Sequence, residues 1–296
     1  MEIPVINLGE MEGERKSKTM SLLHEACEKW GFFWIDNHGI DEELMDKVKG
    51  LVNQHYERSM KESFYSSERA KELGPNIKAS DVDWECGFFY RHQPDSNVND
   101  IPELLREAMQ EYVAQLIKLA ERLAELLSEN LGLEKDYLKK AFSEPFVGTK
   151  VAKYPKCSQP EMVMGLRSHT DAGGIILLLQ DDKVPGLEFL KDGEWVAIPP
   201  TEGYRIFANL GDQVEVVSNG TYNSVRHQVL AEKTGSRLSI ATFYNPGGNA
   251  VISPASRLLY PSGYRFQDYL NYYSTTKFSD KVARFQNIKE KLVSLQ

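Results

Sequence analysis

Between residues 150 and 244 the chain is a succession of short apolar or alternating runs cut apart by turn pairs. The runs are Lys150–Tyr154, Ile175–Leu179, Leu187–Leu190, Trp195–Ile198, Ile206–Leu210, Val214–Val217, Ser224–Leu230 and Ser239–Tyr244, with Gly-Gly, Asp-Gly, Pro-Pro and Asn-Gly among the breaks. Runs this short do not sustain helices, and their regular spacing predicts an all-β sandwich or barrel.

The flanks read differently. Ile3–Asn7 predicts a short strand and Lys16–Trp30 an amphipathic helix stopped by Gly31. Phe32–Ile35 predicts a buried strand ended by the turn Asn37-His38-Gly39, and Asp41–Met60 a second helix. Residues 71–100 are polar and read as loop, with an aromatic cluster (Trp84, Phe88, Phe89, Tyr90) that packs. Pro102 opens a long helix, where its missing N–H costs nothing. The stripe of that helix runs from Leu105 through Met109, Val113, Leu116 and Leu123 to Leu127, about 45 Å at 1.5 Å per residue, and Gly132 closes it. From Tyr264 the pattern is helical again. The expected fold is mainly β with flanking helices. It divides into a helix-rich region with short strands over 1–143, a β domain over 144–248 and a helical tail over 249–296.

Composition narrows the function. Of the 296 residues, 41% are hydrophobic and 26% charged, as in globular proteins, so disorder and fibrous classes are excluded. A net charge of −8 argues against a nucleic-acid partner. No run of about 18 apolar residues predicts a membrane span. No basic-then-apolar leader opens the sequence. Cys27, Cys86 and Cys157 are odd in number and scattered, so no disulfide framework is implied. The expectation is a soluble, acidic, cytoplasmic protein with no obligate protein partner.

Chemistry concentrates in the β region. His169 and Asp171 are two residues apart, and residues i and i+2 of a strand share a face. His227 lies in the later run Ser224–Leu230. Two imidazoles and one carboxylate make the facial triad of non-haem Fe(II) oxygenases, which leaves positions open for substrate and O₂. A zinc hydrolase fits less well, because no glutamate follows either histidine at helical spacing. Arg237 and Ser239 are also i and i+2. A hairpin folded about Lys233 or Thr234 would set them opposite His227, with a guanidinium fork and a hydroxyl presented to a carboxylate near the metal. Gln180, Asn209 and Phe243 are expected around the same cavity.

These residues sit in recognisable surroundings: CEKWGFFWIDNHGI (27–40), SHTDAGG (168–174), NLGDQ (209–213), VRHQV (225–229) and RLSIATFYNP (237–246). The chain resembles the plant branch of the Fe(II)- and 2-oxoglutarate-dependent dioxygenase superfamily. Through DVDWECGFFYRHQP (81–94) and GLRSHTDAGGIILLLQDDKVPGL (165–187) it is most similar there to the ethylene-forming 1-aminocyclopropane-1-carboxylate oxidases. The resemblance covers most of residues 1–250. It implies a double-stranded β-helix (jelly-roll) core wrapped by helices, with Fe(II) on His169, Asp171 and His227. Arg237, Ser239 and Tyr154 correspond to the residues with which ordinary members bind 2-oxoglutarate.

The ethylene-forming subgroup uses ascorbate as reductant and bicarbonate or CO₂ as activator in its place. The resemblance also implies roles for Lys150, Arg167 and, in the tail, Arg284. Val282, Ala283 and Gln286 depart from the subgroup's usual Lys-Glu-Pro-Arg-Phe-Glu, and Asn223 stands where a lysine is usual. The implied activity is oxidation of a small amino acid by O₂. Two alternatives stay open: a 2-oxoglutarate-dependent hydroxylase or desaturase, and a catalytically silent binding member.

Overall fold

The computed structural model describes residues 2–71, 83–255 and 264–278. The first part of the chain contributes β1 (Val5–Asn7), α1 (Lys16–Glu25), β2 (Phe32–Asp36), α2 (Glu42–His55), α3 (Lys61–Ser66), α4 (Glu68–Lys71), β3 (Cys86–Gln93), α5 (Glu103–Asn130) and α6 (Tyr137–Phe142). The strand-rich part follows with β4 (Phe146–Tyr154), β5 (Met164–His169), β6 (Ile175–Gln180), β7 (Leu187–Lys191), β8 (Glu194–Ala197), β9 (Ile206–Leu210), α7 (Asp212–Val217), β10 (His227–Leu230) and β11 (Arg237–Asn245). β12 (Val251–Ile252), β13 (Tyr264–Arg265) and α8 (Phe266–Thr276) close the described chain.

Two sheets form a jelly-roll core. One has seven strands in the order β1-β2-β9-β6-β11-β4-β3, and the other has four in the order β5-β10-β7-β8. Strand alternation sorts the larger sheet into two faces. Phe33 and Ile35 of β2, Ile175, Leu177 and Leu179 of β6, and Leu238 and Ile240 of β11 point outward into the core they share with the apolar stripe of α5 and with α1 and α2. Their neighbours Phe32, Trp34, Leu178 and Phe207 point inward and meet Leu166, Leu187, Phe189 and Val229 of the smaller sheet. This double burial explains why β6 reads as the uninterrupted apolar run Ile-Ile-Leu-Leu-Leu-Gln rather than an alternating one. The strands β1, β2 and β3, all from before residue 143, complete the larger sheet, so that sheet spans the expected boundary at 143/144.

Several local expectations are met. Pro102 is the N-cap of α5. Gly31 ends the α1 segment with φ +73°, a left-handed conformation that favours glycine.

Two expectations are corrected. The 71–100 segment is not all loop, because Cys86–Gln93 forms the edge strand β3. Gly87 disguises it: a Cβ there would lie 2.2 Å from the Val151 carbonyl oxygen, so close strand approach demands glycine where strand propensity disfavours it. Val214–Val217 is helical, not a strand. Its leading amides are claimed by the turn after β5, with Asp212 N–H donating to the Asp171 carbonyl (2.8 Å) and Gln213 N–H to that of Gly173 (2.9 Å). That tertiary pairing overrides the β preference of the valines.

The inter-sheet core is aromatic. Phe32 is fully buried, 4.5 Å from the Phe189 ring and 5.8 Å from that of Phe207. Phe32→Ala should cost about 3–5 kcal/mol of unfolding free energy, measured as a drop in the urea midpoint. A second prediction concerns pH. Burial holds the His92 imidazole at about 4, below its ordinary value near 6.5, so the fold prefers the neutral ring. Stability from this ring is complete above about 6.5 and is lost as pH falls toward 4. Urea midpoints should therefore fall between pH 7 and pH 5, and His92→Gln should narrow that gap.

Candidate metal centre and its cavity

β5 and β10 pair antiparallel with His227 directly opposite His169, which brings the ring centroids to 4.4 Å. β5 ends at His169, so Asp171 arrives through a turn rather than by strand alternation, a correction to the geometry expected from the spacing. The backbone of that turn is held by α7 and by Tyr273 of α8, whose hydroxyl donates to the Thr170 carbonyl. The three ligand atoms lie within 4.8 Å of one another, and all three residues are buried. Asp171 Oδ1 is 3.8 Å from His169 Nε2, and Oδ2 is 3.6 Å from His227 Nε2.

Hydrogen bonds behind the triad set its chemistry. His169 Nδ1 lies 2.7 Å from the Arg167 carbonyl, and His227 Nδ1 lies 3.3 Å from that of Val225. A carbonyl only accepts, so each Nδ1 carries the proton and each Nε2 turns a lone pair toward Asp171. Asn209 Nδ2 donates to Asp171 Oδ2 at 2.8 Å and orients the carboxylate. Phe189 stacks on His227 at 4.7 Å with the rings 16° apart. Burial, with His227 alongside, pushes the His169 pKa well below the ordinary histidine range and keeps the ring neutral, as a ligand must be. Two imidazoles and one carboxylate on one side of an open space fit Fe(II).

That space is a cavity of about 360 Å³ between the sheets. Its larger-sheet wall comes from inward positions, among them Tyr154, Leu178, Asn209, Arg237 and Ser239. Arg237 is 1% exposed. Its Nη2 donates to Gln180 Oε1 at 2.7 Å, and its Cζ lies 5.5 Å from the Tyr154 ring centroid. Its Nη1 is buried with no hydrogen-bond partner among the described residues. A buried guanidinium with an unused donor on the cavity wall is a receptor for an anion. Tyr154 faces Arg237 across the β4–β11 pair, and Ser239 sits one inward step along from Arg237.

The hairpin expected for this pair does not form. Both edges of β10 are taken by β5 and β7, and both edges of β11 by β4 and β6, so the turn at 231–236 carries the chain from one sheet to the other. Arg237 therefore meets the histidines across the cavity, not along a ladder.

The remaining expected residues divide. Lys150 lines the cavity, with its ammonium 2.7 and 2.8 Å from the two Glu85 oxygens. Arg167 is absent from the described residues that line it. A register shift in the β5–β10 pairing between Leu166 and His169 interrupts the alternation, so Leu166 and His169 both face inward while the Arg167 guanidinium goes to Asp83 (Nε to Oδ1 3.0 Å) and onto the Phe278 ring (3.9 Å). Arg284 lies outside the described residues. Lys277, just past α8, lines the cavity and was missed by the sequence reading. Burial and the nearby Lys150 charge lower its pKa. Only the tertiary docking of α8 places it there: Tyr264 OH donates to Gln213 Oε1 (2.7 Å), and Tyr269 OH to Asp212.

Comparison with known proteins agrees with this geometry. The family profile of the 2OG-Fe(II) oxygenase superfamily matches residues 145–246, and that of the non-haem dioxygenase in morphine synthesis N-terminal region matches 3–112. The 1-aminocyclopropane-1-carboxylate oxidase 1 of Arabidopsis thaliana is 62% identical over 98% of this chain and 95% of its own length. The 1-aminocyclopropane-1-carboxylate oxidase of Persea americana is 49% identical over 98% and 96%. The chain belongs to the 1-aminocyclopropane-1-carboxylate oxidase family of the 2OG-Fe(II) oxygenases.

Solved structures extend the likeness to coordinates. JOX2 in complex with 2OG, Fe and JA superposes with a TM-score of 0.80 at 32% identity, over 92% of this chain and 85% of that one. The rice dioxygenase for auxin oxidation has the same fold, with a TM-score of 0.74 at 23% identity over 93% and 96%. No helix among the described residues is long and apolar enough to cross a membrane. As a non-haem iron oxidoreductase, the protein depends on how tightly the triad is braced. Asn209→Leu removes the donor to Asp171 and should weaken Fe(II) binding about 10–100-fold in a chelator-competition titration, with the thermal midpoint little changed. An unchanged affinity would mean that Asn209 does not orient the ligand.

Proposed function

We propose that this protein converts 1-aminocyclopropane-1-carboxylate, O₂ and ascorbate to ethylene, cyanide and CO₂, with bicarbonate or CO₂ as activator. The observation that carries the proposal is one small cavity that joins the open side of a His-Asp-His triad to a buried guanidinium with an unused donor. High identity to named 1-aminocyclopropane-1-carboxylate oxidases supports this substrate over the alternatives. The balance is simple: two electrons from the amino acid and two from ascorbate reduce O₂ to two waters.

His169, Asp171 and His227 would hold the iron. Bound Fe(II) supplies O₂ binding and one-electron steps. The rest is work for side chains. Arg237, Ser239 and Tyr154 offer donors to a carboxylate or bicarbonate, and burial strengthens a charged donor to about 1.5–3 kcal/mol. Burial also raises the Tyr154 pKa, so its phenol stays protonated and can donate. Lys150 and Lys277 add positive charge on the wall, and Leu178 and Phe189 keep water out. Arg167 acts from behind, its carbonyl fixing the His169 ring. The part assigned to Arg284 rests on resemblance alone.

The test is headspace gas chromatography of anaerobically reconstituted protein given O₂, ascorbate, bicarbonate and 1-aminocyclopropane-1-carboxylate, with a parallel 2-oxoglutarate assay. Ethylene should form without succinate. His169→Ala should abolish it, and Arg237→Leu should lower it about tenfold or more. Succinate without ethylene would select the 2-oxoglutarate-dependent alternative. Iron retention with no product from either mixture would select the silent binder.

A further inference from the structure

One cation on the cavity wall, Lys150, is already engaged. Both Glu85 oxygens lie within 2.8 Å of the Lys150 ammonium, and the two side chains are only 20% and 30% exposed. Glu85 lines a second groove, on the far side of Lys150, rather than the metal cavity. Lys150 therefore stands in the wall between the two spaces, with its stem rooted on β4 and a carboxylate behind its head.

Glu85 is well anchored. Its neighbour Trp84 is 2% exposed, donates its backbone N–H to the Met164 carbonyl (2.7 Å) and its indole N–H to the Pro155 carbonyl (2.8 Å). On the other side of Trp84, Asp83 holds Arg167 through its backbone N–H, Nε and Nη2. This segment is tied down by one backbone bond and by the Trp84 and Asp83 side chains, whereas the lysine stem has four rotatable carbons. Exchange between Glu85 and a cavity ligand is therefore a motion of Lys150, not of the segment. The Lys150 ammonium engages both Glu85 oxygens, and the Glu85 charge opposes the field Lys150 projects into the cavity.

We propose that Glu85 is a built-in counter-ion, with which a carboxylate or bicarbonate entering the metal cavity must compete for Lys150. Glu85 then limits the anion affinity of the site and acts as a positioning residue through Lys150. The inference rests on the reading above in which Lys150 meets an anionic ligand.

The test is isothermal titration calorimetry on the anaerobic Fe(II) protein at fixed ionic strength. The two probes, 1-aminocyclopropane-1-carboxylate and sodium bicarbonate, are titrated separately to show which anion Lys150 serves. Glu85→Gln keeps shape and acceptor but removes charge, and it should tighten at least one probe about fivefold. Glu85→Ala should move affinity the same way, and Glu85→Asp should stay within about twofold of wild type. In a Lys150→Met background, itself weaker in binding, Glu85→Gln should change nothing. Weaker or unchanged binding in Glu85→Gln, or tightening that persists without Lys150, overturns the inference. If Lys150→Met alone leaves both affinities at wild type, the assignment of Lys150 to an anion has failed, and this inference with it.

Discussion

The cross-strand pairing of His227 with His169 is the contact on which the site is built. It is a consequence of register: a slip of one residue between β5 and β10 would turn one imidazole out of the sandwich. The register is secured from both sides. β7 pairs with the other edge of β10 and stacks Phe189 on the His227 ring, and the Phe32–Phe189–Phe207 cluster fixes Phe189 against the larger sheet. Core packing and ligand geometry are thus one problem. The aromatic residues that stabilise the fold also set the angle of an imidazole.

The second constraint is parity on the larger sheet. Residues on one face of β2, β6 and β11 join the core formed with the outer helices, and their neighbours face the space between the sheets, so the helices outside and the chemistry inside are specified by the same alternation. This is how Arg237 can be 1% exposed: it occupies an inward position of a central strand and directs its unused donor at a ligand instead of at water. α8 adds a third constraint. Tyr269 and Tyr273 of α8, with Tyr264 of β13, bond the turn between the ligands and the start of α7, and so tie this segment to the metal loop and bring Lys277 to the cavity.

Much of this was legible in the sequence because the governing patterns are local. Turn-separated runs announced the β core, the stripe from Leu105 to Leu127 announced α5, and His169, Asp171, His227, Arg237 and Ser239 stood out by residue type and spacing. What escaped notice depends on contacts distant in sequence. The strand at 86–93 was hidden by a glycine that only the approach of Val151 explains. The helix at 212–217 exists because its amides bond the turn after β5. The hairpin expected at 231–236 is a crossing between sheets, since the partners of β10 and β11 are invisible locally. Arg167 faces away from the cavity although it is two residues from His169, because the β5–β10 pairing shifts register between Leu166 and His169, and nothing in a linear pattern reveals that irregularity. Lys277 carried no signal beyond its charge.

The central claim is that His169, Asp171 and His227 together grip one ferrous ion from the smaller sheet, with the cavity on the open side. X-ray absorption fine structure of the Fe(II)-loaded protein, beside His227→Ala loaded in the same way, tests it most directly. The account predicts two imidazoles on iron in the wild type and one in the variant. An imidazole count that His227→Ala leaves unchanged would contradict it.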